Sequence, residues 1–210
     1  MIVAVEGMDG AGKTTICSHI ERTFNFINID KPTKYLFLNE QGNVDYKKYY
    51  EALDMIYKSN DLTRSKFFGK GNYIAVTKFP NNNVVLDRHI ASNFYWNANE
   101  KLYKFYDELI KLCGKPDITI YLDATPQTRY KRLKQRNLND FDLCDPTIFA
   151  NGLEKNKQFL EYFGFNYKII YTDNKSIKEV CREVDHILKS YIMTSNRKKR
   201  IKWKLILIML

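Results

Sequence analysis

The chain has 210 residues and a mass of 24.9 kDa, enough for one domain with a sizeable core, and its 44% apolar and 28% charged composition excludes a disordered or fibrous protein. Lys and Arg number 34 against 24 Asp and Glu, a formal net charge of +10 that invites a polyanionic partner. The excess is unevenly placed: Arg197, Lys198, Lys199, Arg200, Lys202 and Lys204 lie in an acid-free stretch over 194–210, so residues 1–193 are only mildly basic.

From the N-terminus, the short apolar run Ile2–Glu6 reads as a strand and lacks the basic flank and cleavage site of a signal peptide. A glycine-rich turn leads into a helix over Thr14–Phe24, then a strand over Phe26–Ile29. Helical patterns follow over Asp45–Ser59 and from near Asp61, and the turn Phe79-Pro80-Asn81-Asn82-Asn83 precedes a strand over Val84–Asp87. A helix over Ile90–Leu112, a strand over Ile118–Asp123, and helices over Pro126–Arg136 and Pro146–Phe163 come next. Each proline suits a first helical turn, where a missing N–H costs nothing. A strand over Lys168–Tyr171 and a helix over Ser176–Ile192, opened by a Ser176/Glu179 capping box, complete the order. Strands apolar at consecutive positions are buried on both faces, as in a parallel sheet, and the alternation predicts one α/β domain over 1–193 with a basic–apolar tail over 194–210. No apolar run reaches the roughly eighteen residues of a membrane-spanning helix. Cys17, Cys113, Cys144 and Cys181, with His19, His89 and His186, are scattered without metal-ligand spacing, so a reduced cytoplasmic compartment and no structural metal are expected.

Straight after the first strand comes Gly7-Met8-Asp9-Gly10-Ala11-Gly12-Lys13-Thr14-Thr15. This satisfies G-x-x-x-x-G-K-[ST], and chemistry explains the spacing. A loop that wraps phosphates points successive backbone N–H groups inward, which glycine permits. Lys13 reaches the β- and γ-phosphates of ATP, the Thr14 hydroxyl completes a Mg²⁺ shell, and the helix behind adds its positive dipole end. A second constellation, Val84-Val85-Leu86-Asp87-Arg88-His89, puts an acid at the carboxyl end of a buried strand, the edge where open α/β sheets bind ligands. Asp87 reads as a carboxylate near Mg²⁺ and Arg88 as a fork of donors for phosphate oxygens.

Glu6 through Thr15, with Asp87-Arg88-His89-Ile90-Ala91-Ser92-Asn93-Phe94-Tyr95-Trp96, resembles the thymidylate kinase family of P-loop nucleoside monophosphate kinases. The resemblance implies a three-layer α/β fold, a five-stranded parallel sheet flanked by helices with an arginine-containing lid, transfer of the γ-phosphate of ATP to dTMP, and a homodimer. By position it implies that Asp9 lies near the acceptor sugar's 3′-hydroxyl and that Arg88 holds the acceptor phosphate with Asp87 as its acidic partner. Ser92, Asn93 and Arg64 then contact the base and Trp96 lies beside the deoxyribose, with Tyr57 or Phe67 stacking on thymine.

Arg129, Arg132 and Arg136 fall at i, i+3 and i+7, one helix face before a loop spanning Asn137–Asp145. Arginines there can close over a nucleotide and neutralise charge on the transferred group. Some members of the family carry that arginine inside the phosphate loop, where this chain has Gly10; its absence places the role in a lid at about 136–146, on Arg132 and Arg136, with Asp140 and Asp142 ordering the open form. The acceptor phosphate is already an anion, so Lys13, Arg88 and the lid arginines act by positioning and charge neutralisation. One departure keeps an alternative open. Where the family has Arg-x-Pro after the second strand, this chain has Asp30-Lys31-Pro32-Thr33-Lys34. Lys31 or Lys34 then substitutes as a point charge, or the acceptor carries no phosphate and Asp30 serves a deoxynucleoside kinase as base; an inactive nucleotide-binding regulator is the third reading. ATP and a nucleotide, not a nucleic acid, account for the polyanion. The tail's roles stay open between a membrane-surface anchor and an extra packed element.

Overall fold

The computed structural model describes residues 1–138, 143 and 149–209, with side chains through residue 194. Five strands, β1 (Ile2–Gly7), β2 (Ile27–Asp30), β3 (Val84–Asp87), β4 (Ile118–Asp123) and β5 (Tyr167–Tyr171), form one sheet in the order β2-β3-β1-β4-β5. Every pairing is parallel. The helices are α1 (Lys13–Phe24), α2 (Tyr46–Tyr57), α3 (Asp61–Thr77), α4 (Ile90–Asn97), α5 (Tyr103–Cys113), α6 (Pro126–Arg136), α7 (Leu153–Tyr162) and α8 (Ile177–Met209). The result is a three-layer α/β fold, a parallel sheet flanked by helices. The chain divides into a unit of Met1–Asp173, which holds the sheet, and a unit of Asn174–Leu210.

Central strands β1 and β4 are buried almost end to end, as their uninterrupted apolar runs require. The register aligns Val5 with Asp87, and Asp87 with Asp30, so both acids end neighbouring strands on one edge. Beside the sheet, α4, α5 and α7 bury Ile90, Phe94, Tyr106, Leu109 and Phe159 together. Phe94 stacks on Phe159 with centroids 4.5 Å apart and Tyr106 stands edge-on to Phe94 at 5.3 Å, the offset and T-shaped geometries that ring quadrupoles favour.

Three helices differ from the sequence pattern. The expected helix over Ile90–Leu112 is broken into α4 and α5 because Ala98 and Asn99 are extended and the Asn99 side chain caps a short 3₁₀ turn at Lys101 N. A helix was expected from Pro146, which lies outside the described residues; α7 begins at Leu153, where the Asn151 carboxamide accepts from Leu153 N at 3.1 Å. Gly152 there lies so close to the Met8 thioether that no Cβ fits between them. In the second unit the helix opens on the expected capping box, Ser176 N donating to Glu179 at 2.8 Å and Glu179 N to Ser176 Oγ at 3.3 Å, and runs past Ile192 to Met209. No helix among the described residues is long and apolar enough to cross a membrane.

Candidate active site

The site is built where β1 and β3 end side by side. β1 hands directly to the loop Gly7–Gly12, and α1 starts at Lys13. Gly10 has φ +80° and a Cβ there would sit 2.8 Å from the Arg129 carbonyl oxygen. The loop therefore has no room for a side chain at this position. Met8 and Ala11 are buried, with the Met8 side chain turned toward Gly152, while Thr14 and Thr15 face solvent. Lys13 is 6% exposed and its Nζ donates to the Met8 carbonyl at 2.9 Å, with Asp9 at 3.9 Å. Burial, with the like charge of Arg88, pushes its ammonium down to about 8. The Thr14 hydroxyl donates to Asp87 at 2.7 Å, tying the start of α1 to the end of β3.

Arg88 follows with φ +74°, a left-handed conformation costing a non-glycine residue about 1–2 kcal/mol. Such strain persists only where surroundings over-determine it and is concentrated at functional sites. Here the guanidinium donates to Asp9 at 2.6 Å and to Gly7 O and Ser92 Oγ at 3.3 Å each, and lies 5.9 Å from the Trp96 ring centre. Burial alone raises the Asp9 pKa; the charges of Arg88 and Lys13, with a further contribution from Arg136, outweigh it and hold the carboxyl below the usual range.

α6 brings two of its three arginines to different tasks. Arg132 donates to Gly10 O at 3.4 Å, Thr172 Oγ1 at 2.9 Å and Thr172 O at 2.7 Å, so it lies against the phosphate loop. Arg129, expected on the same helix face, is 1% exposed: it donates to Ala124 O at 3.2 Å and Ala150 O at 2.7 Å, fastening the chain before and after the loop that follows α6. Arg136 ends α6. Most of the expected lid at 136–146, including Asp140 and Asp142, lies outside the described residues.

The expected base contacts separate. Ser92 sits in the Arg88 cluster. Asn93 does not: its amide donates to Ser65 O and Asn72 Oδ1 at 3.1 and 3.2 Å, and its oxygen accepts from Tyr106 and Asn97 at 3.2 and 3.1 Å. All four bonding capacities are thus used in packing α3, α4 and α5 rather than being left toward the Arg88 cluster. Arg64 bonds Ser59 O and Asp61, both at 2.6 Å, at the start of its own helix. Tyr57 is exposed and pairs with Phe68, whereas Phe67 contacts Phe37 and Phe68. Asp30 accepts from Lys34 at 2.6 Å.

Glu6 was given no role by the sequence, although a lone acid inside the apolar run Ile2–Gly7 was the available signal. It is 1% exposed and accepts from His89 N at 3.0 Å, Ser92 N at 3.2 Å and the Ser92 hydroxyl. Burial raises its pKa against the opposing effect of these donors. Lys155, also unanticipated, donates to Tyr95 O at 2.8 Å and Ala98 O at 2.7 Å, placing a cation at the C-terminal end of α4.

A parallel sheet with a glycine-rich phosphate loop on its first strand and an arginine–carboxylate pair at its topological switch point defines the P-loop kinase fold. The family model for thymidylate kinase matches residues 5–184, and the chain belongs to that family. A probable thymidylate kinase from Archaeoglobus fulgidus is 28% identical over 208 residues, covering 91% of this chain and 96% of its own. A second, from Staphylothermus marinus, is 28% identical over 203 residues with the same coverage of each chain, 91% and 96%. Among solved structures, deoxyadenosine kinase from M. mycoides with bound dATP superposes with a TM-score of 0.60 at 17% identity, covering 90% of this chain and 100% of that one, a likeness of fold.

Proposed function

We propose that the chain transfers the γ-phosphoryl group of ATP to dTMP, giving dTDP. The observation that carries this reading is the placement of two phosphate-binding groups on one sheet edge: the Lys13 loop, and the Arg88 guanidinium held against Asp9 at 2.6 Å. The loop suits the β- and γ-phosphates of the donor. Arg88 keeps Nε–H and a second Nη2–H without hydrogen bonds among the described residues, and two donors on one planar group suit two oxygens of an acceptor phosphate.

Because the acceptor phosphate is an anion, the nucleophile needs no base. This chain's residues bring two anions together and offset their charge: Lys13 on the donor, Arg88 on the acceptor, and Arg132 and Arg136 on the group in flight. Asp9, beside Arg88, is the carboxylate for the sugar's 3′-hydroxyl; Ser92, Trp96 and Arg64 complete the acceptor side. Mg²⁺ fits the oxygen donors present. Thr14 and Asp87 offer a hydroxyl and a carboxylate 2.7 Å apart, and among the described residues no cluster of three His, Cys, Asp or Glu builds a complete metal cage. Such a partial set matches a cation that takes its remaining ligands from water and nucleotide phosphates. Held by Thr14 and Asp87, it would supply charge neutralisation for the donor phosphates.

Pairing of Asp30 with Lys34 supports a monophosphate over a nucleoside acceptor, since the carboxylate is already engaged and an ammonium stands at the end of β2. A reducing cytoplasmic setting fits the buried thiols Cys17 and Cys113. The homodimer belongs to the same proposal and is read by sedimentation; for 194–210 the membrane-surface and packed-element readings are separated by liposome flotation with and without the tail. Incubation with ATP, Mg²⁺ and a panel of deoxynucleosides and monophosphates tests the central reading. ADP release with dTMP supports it, and release with thymidine alone would transfer the assignment to a nucleoside kinase.

A further inference from the structure

We infer that Glu6 is a positioning residue for the acceptor, fixing the Arg88 guanidinium against Asp9 through His89 N and the Ser92 hydroxyl. The inference rests on the phosphate-acceptor reading of Arg88.

His89 occupies the N-cap of α4, yet its side chain makes no capping bond. The N–H groups of His89 and Ser92 are taken instead by Glu6 Oε1, at 3.0 and 3.2 Å, from a strand more than 80 residues earlier in the chain. A helix start that ordinarily uses a local Ser, Thr, Asp or Asn is thus held by a carboxylate from β1. Two consequences reach Arg88. Its backbone, with φ +74°, is clamped on one side by Arg88 N donating to Val5 O at 3.0 Å and on the other by Glu6 gripping His89 N, so neighbouring positions of β1 hold both ends of the left-handed turn. Its guanidinium is oriented by Ser92. Because the Ser92 proton is committed to Glu6 Oε2, the hydroxyl presents a lone pair to Arg88 Nη1. Glu6, Ser92, Arg88 and Asp9 form a continuous chain from the buried end of β1 to the phosphate loop.

An acid in a buried strand is expensive unless hydrogen bonds offset its desolvation, and three donors do so here. What only a carboxylate provides here is acceptance of three donors at once, one of which sets the direction of Ser92. Glutamine keeps the shape but replaces one acceptor oxygen by an NH₂ group, turning the Ser92 hydroxyl away from Arg88 or leaving a donor unpaired.

The test uses the full chain carrying Glu6→Gln. Its crystal structure is expected to show Arg88 out of hydrogen-bond reach of Asp9; an unchanged Arg88–Asp9 pair overturns the inference. In steady-state kinetics the KM for dTMP is expected to rise about tenfold or more while the KM for ATP stays within about twofold. A lower melting temperature with both KM values unchanged marks a merely structural acid and also overturns it. Should Glu6→Gln fail to fold, Ser92→Ala retains both backbone bonds to Glu6 and removes the hydroxyl that joins Glu6 Oε2 to Arg88 Nη1; it is expected to shift the dTMP KM in the same way, and an unshifted KM with Arg88 still on Asp9 overturns the inference. Absence of dTMP turnover in the unsubstituted chain would instead sink the proposed reaction, and the position of Arg88 in the variant would still decide the role of Glu6.

Discussion

Arg132 grips Thr172 twice, through the hydroxyl at 2.9 Å and the carbonyl at 2.7 Å, while its Nη1 also touches the Gly10 carbonyl of the phosphate loop at 3.4 Å. One guanidinium thus joins α6, the end of β5 and the loop. Replacing it removes a contact to the phosphate loop and, in the proposed reaction, a charge offered to the transferred group. Arg132→Ala is expected to lower kcat by about 10²–10³, the usual effect of deleting one transition-state donor. Arg132→Lys is expected to recover little of this, because a point ammonium cannot make the paired bonds to Thr172. Single-turnover measurements at saturating ATP and dTMP separate this loss from weakened binding.

Gly10 leaves no space for a side chain in the loop. At φ +80°, and with a built Cβ 2.8 Å from the Arg129 carbonyl, Gly10→Ala has to shift either the loop or α6. The backbone conformation alone costs about 1–2 kcal/mol, and displacement of the loop adds an activity loss of about tenfold or more in kcat/KM for ATP. Thermal denaturation and ATP titration of the same variant report the two parts. A variant with wild-type kinetics would show that the loop accommodates a methyl group without moving its N–H donors.

The contrast between Gly10 and Arg129 shows what sequence made legible. Local chemistry was readable: the strand–loop–helix of Ile2–Phe24 and the acid ending Val84–Asp87 follow from apolar runs and turn residues, and all five strands stand within a residue or so of their expected limits. Contacts between distant segments were not. Spacing of i, i+3 and i+7 places Arg129, Arg132 and Arg136 on one helix face, but it does not say that the first of them is covered by the segment around Ala150. Likewise Asn93 lies one residue from Ser92 in sequence but points into a different network, because successive residues of a helix are about 100° apart. Glu6 needed the register of β1 beside β3 before its partners could be known.

Asn93 yields a prediction that distinguishes packing from recognition. Its amide joins Ser65, Asn72, Asn97 and Tyr106, all buried. Asn93→Ala strands several of these polar groups and is expected to destabilise the fold by about 2–3 kcal/mol. The ratio of kcat/KM for dTMP over dUMP is expected to stay within about twofold of wild type. Urea denaturation and competition kinetics on one preparation supply both numbers. A large change in that ratio with little loss of stability would return Asn93 to the base-binding set.

Asp173, just after β5, holds the start of α6. Its carboxylate accepts from Thr125 N at 3.1 and 3.0 Å and from Thr125 Oγ1 at 2.7 Å, holding the N-cap residue of that helix. Burial, the largest single influence, raises its pKa, but the hydrogen bonds from Thr128 and Thr125 together with the charge of Arg132 outweigh it and keep the carboxyl below the usual range. A carboxylate depressed in the folded state stabilises the fold above its unfolded pKa, and that stabilisation disappears as pH falls through the folded value. The difference in unfolding free energy between wild type and Asp173→Asn is therefore expected to be constant above about pH 5 and to shrink below the ordinary aspartate value of about 3.9. Urea titrations at stepped pH read this directly. A gap that stayed constant down to pH 2 would mean that the Thr125 bonds do not depend on the charge of Asp173.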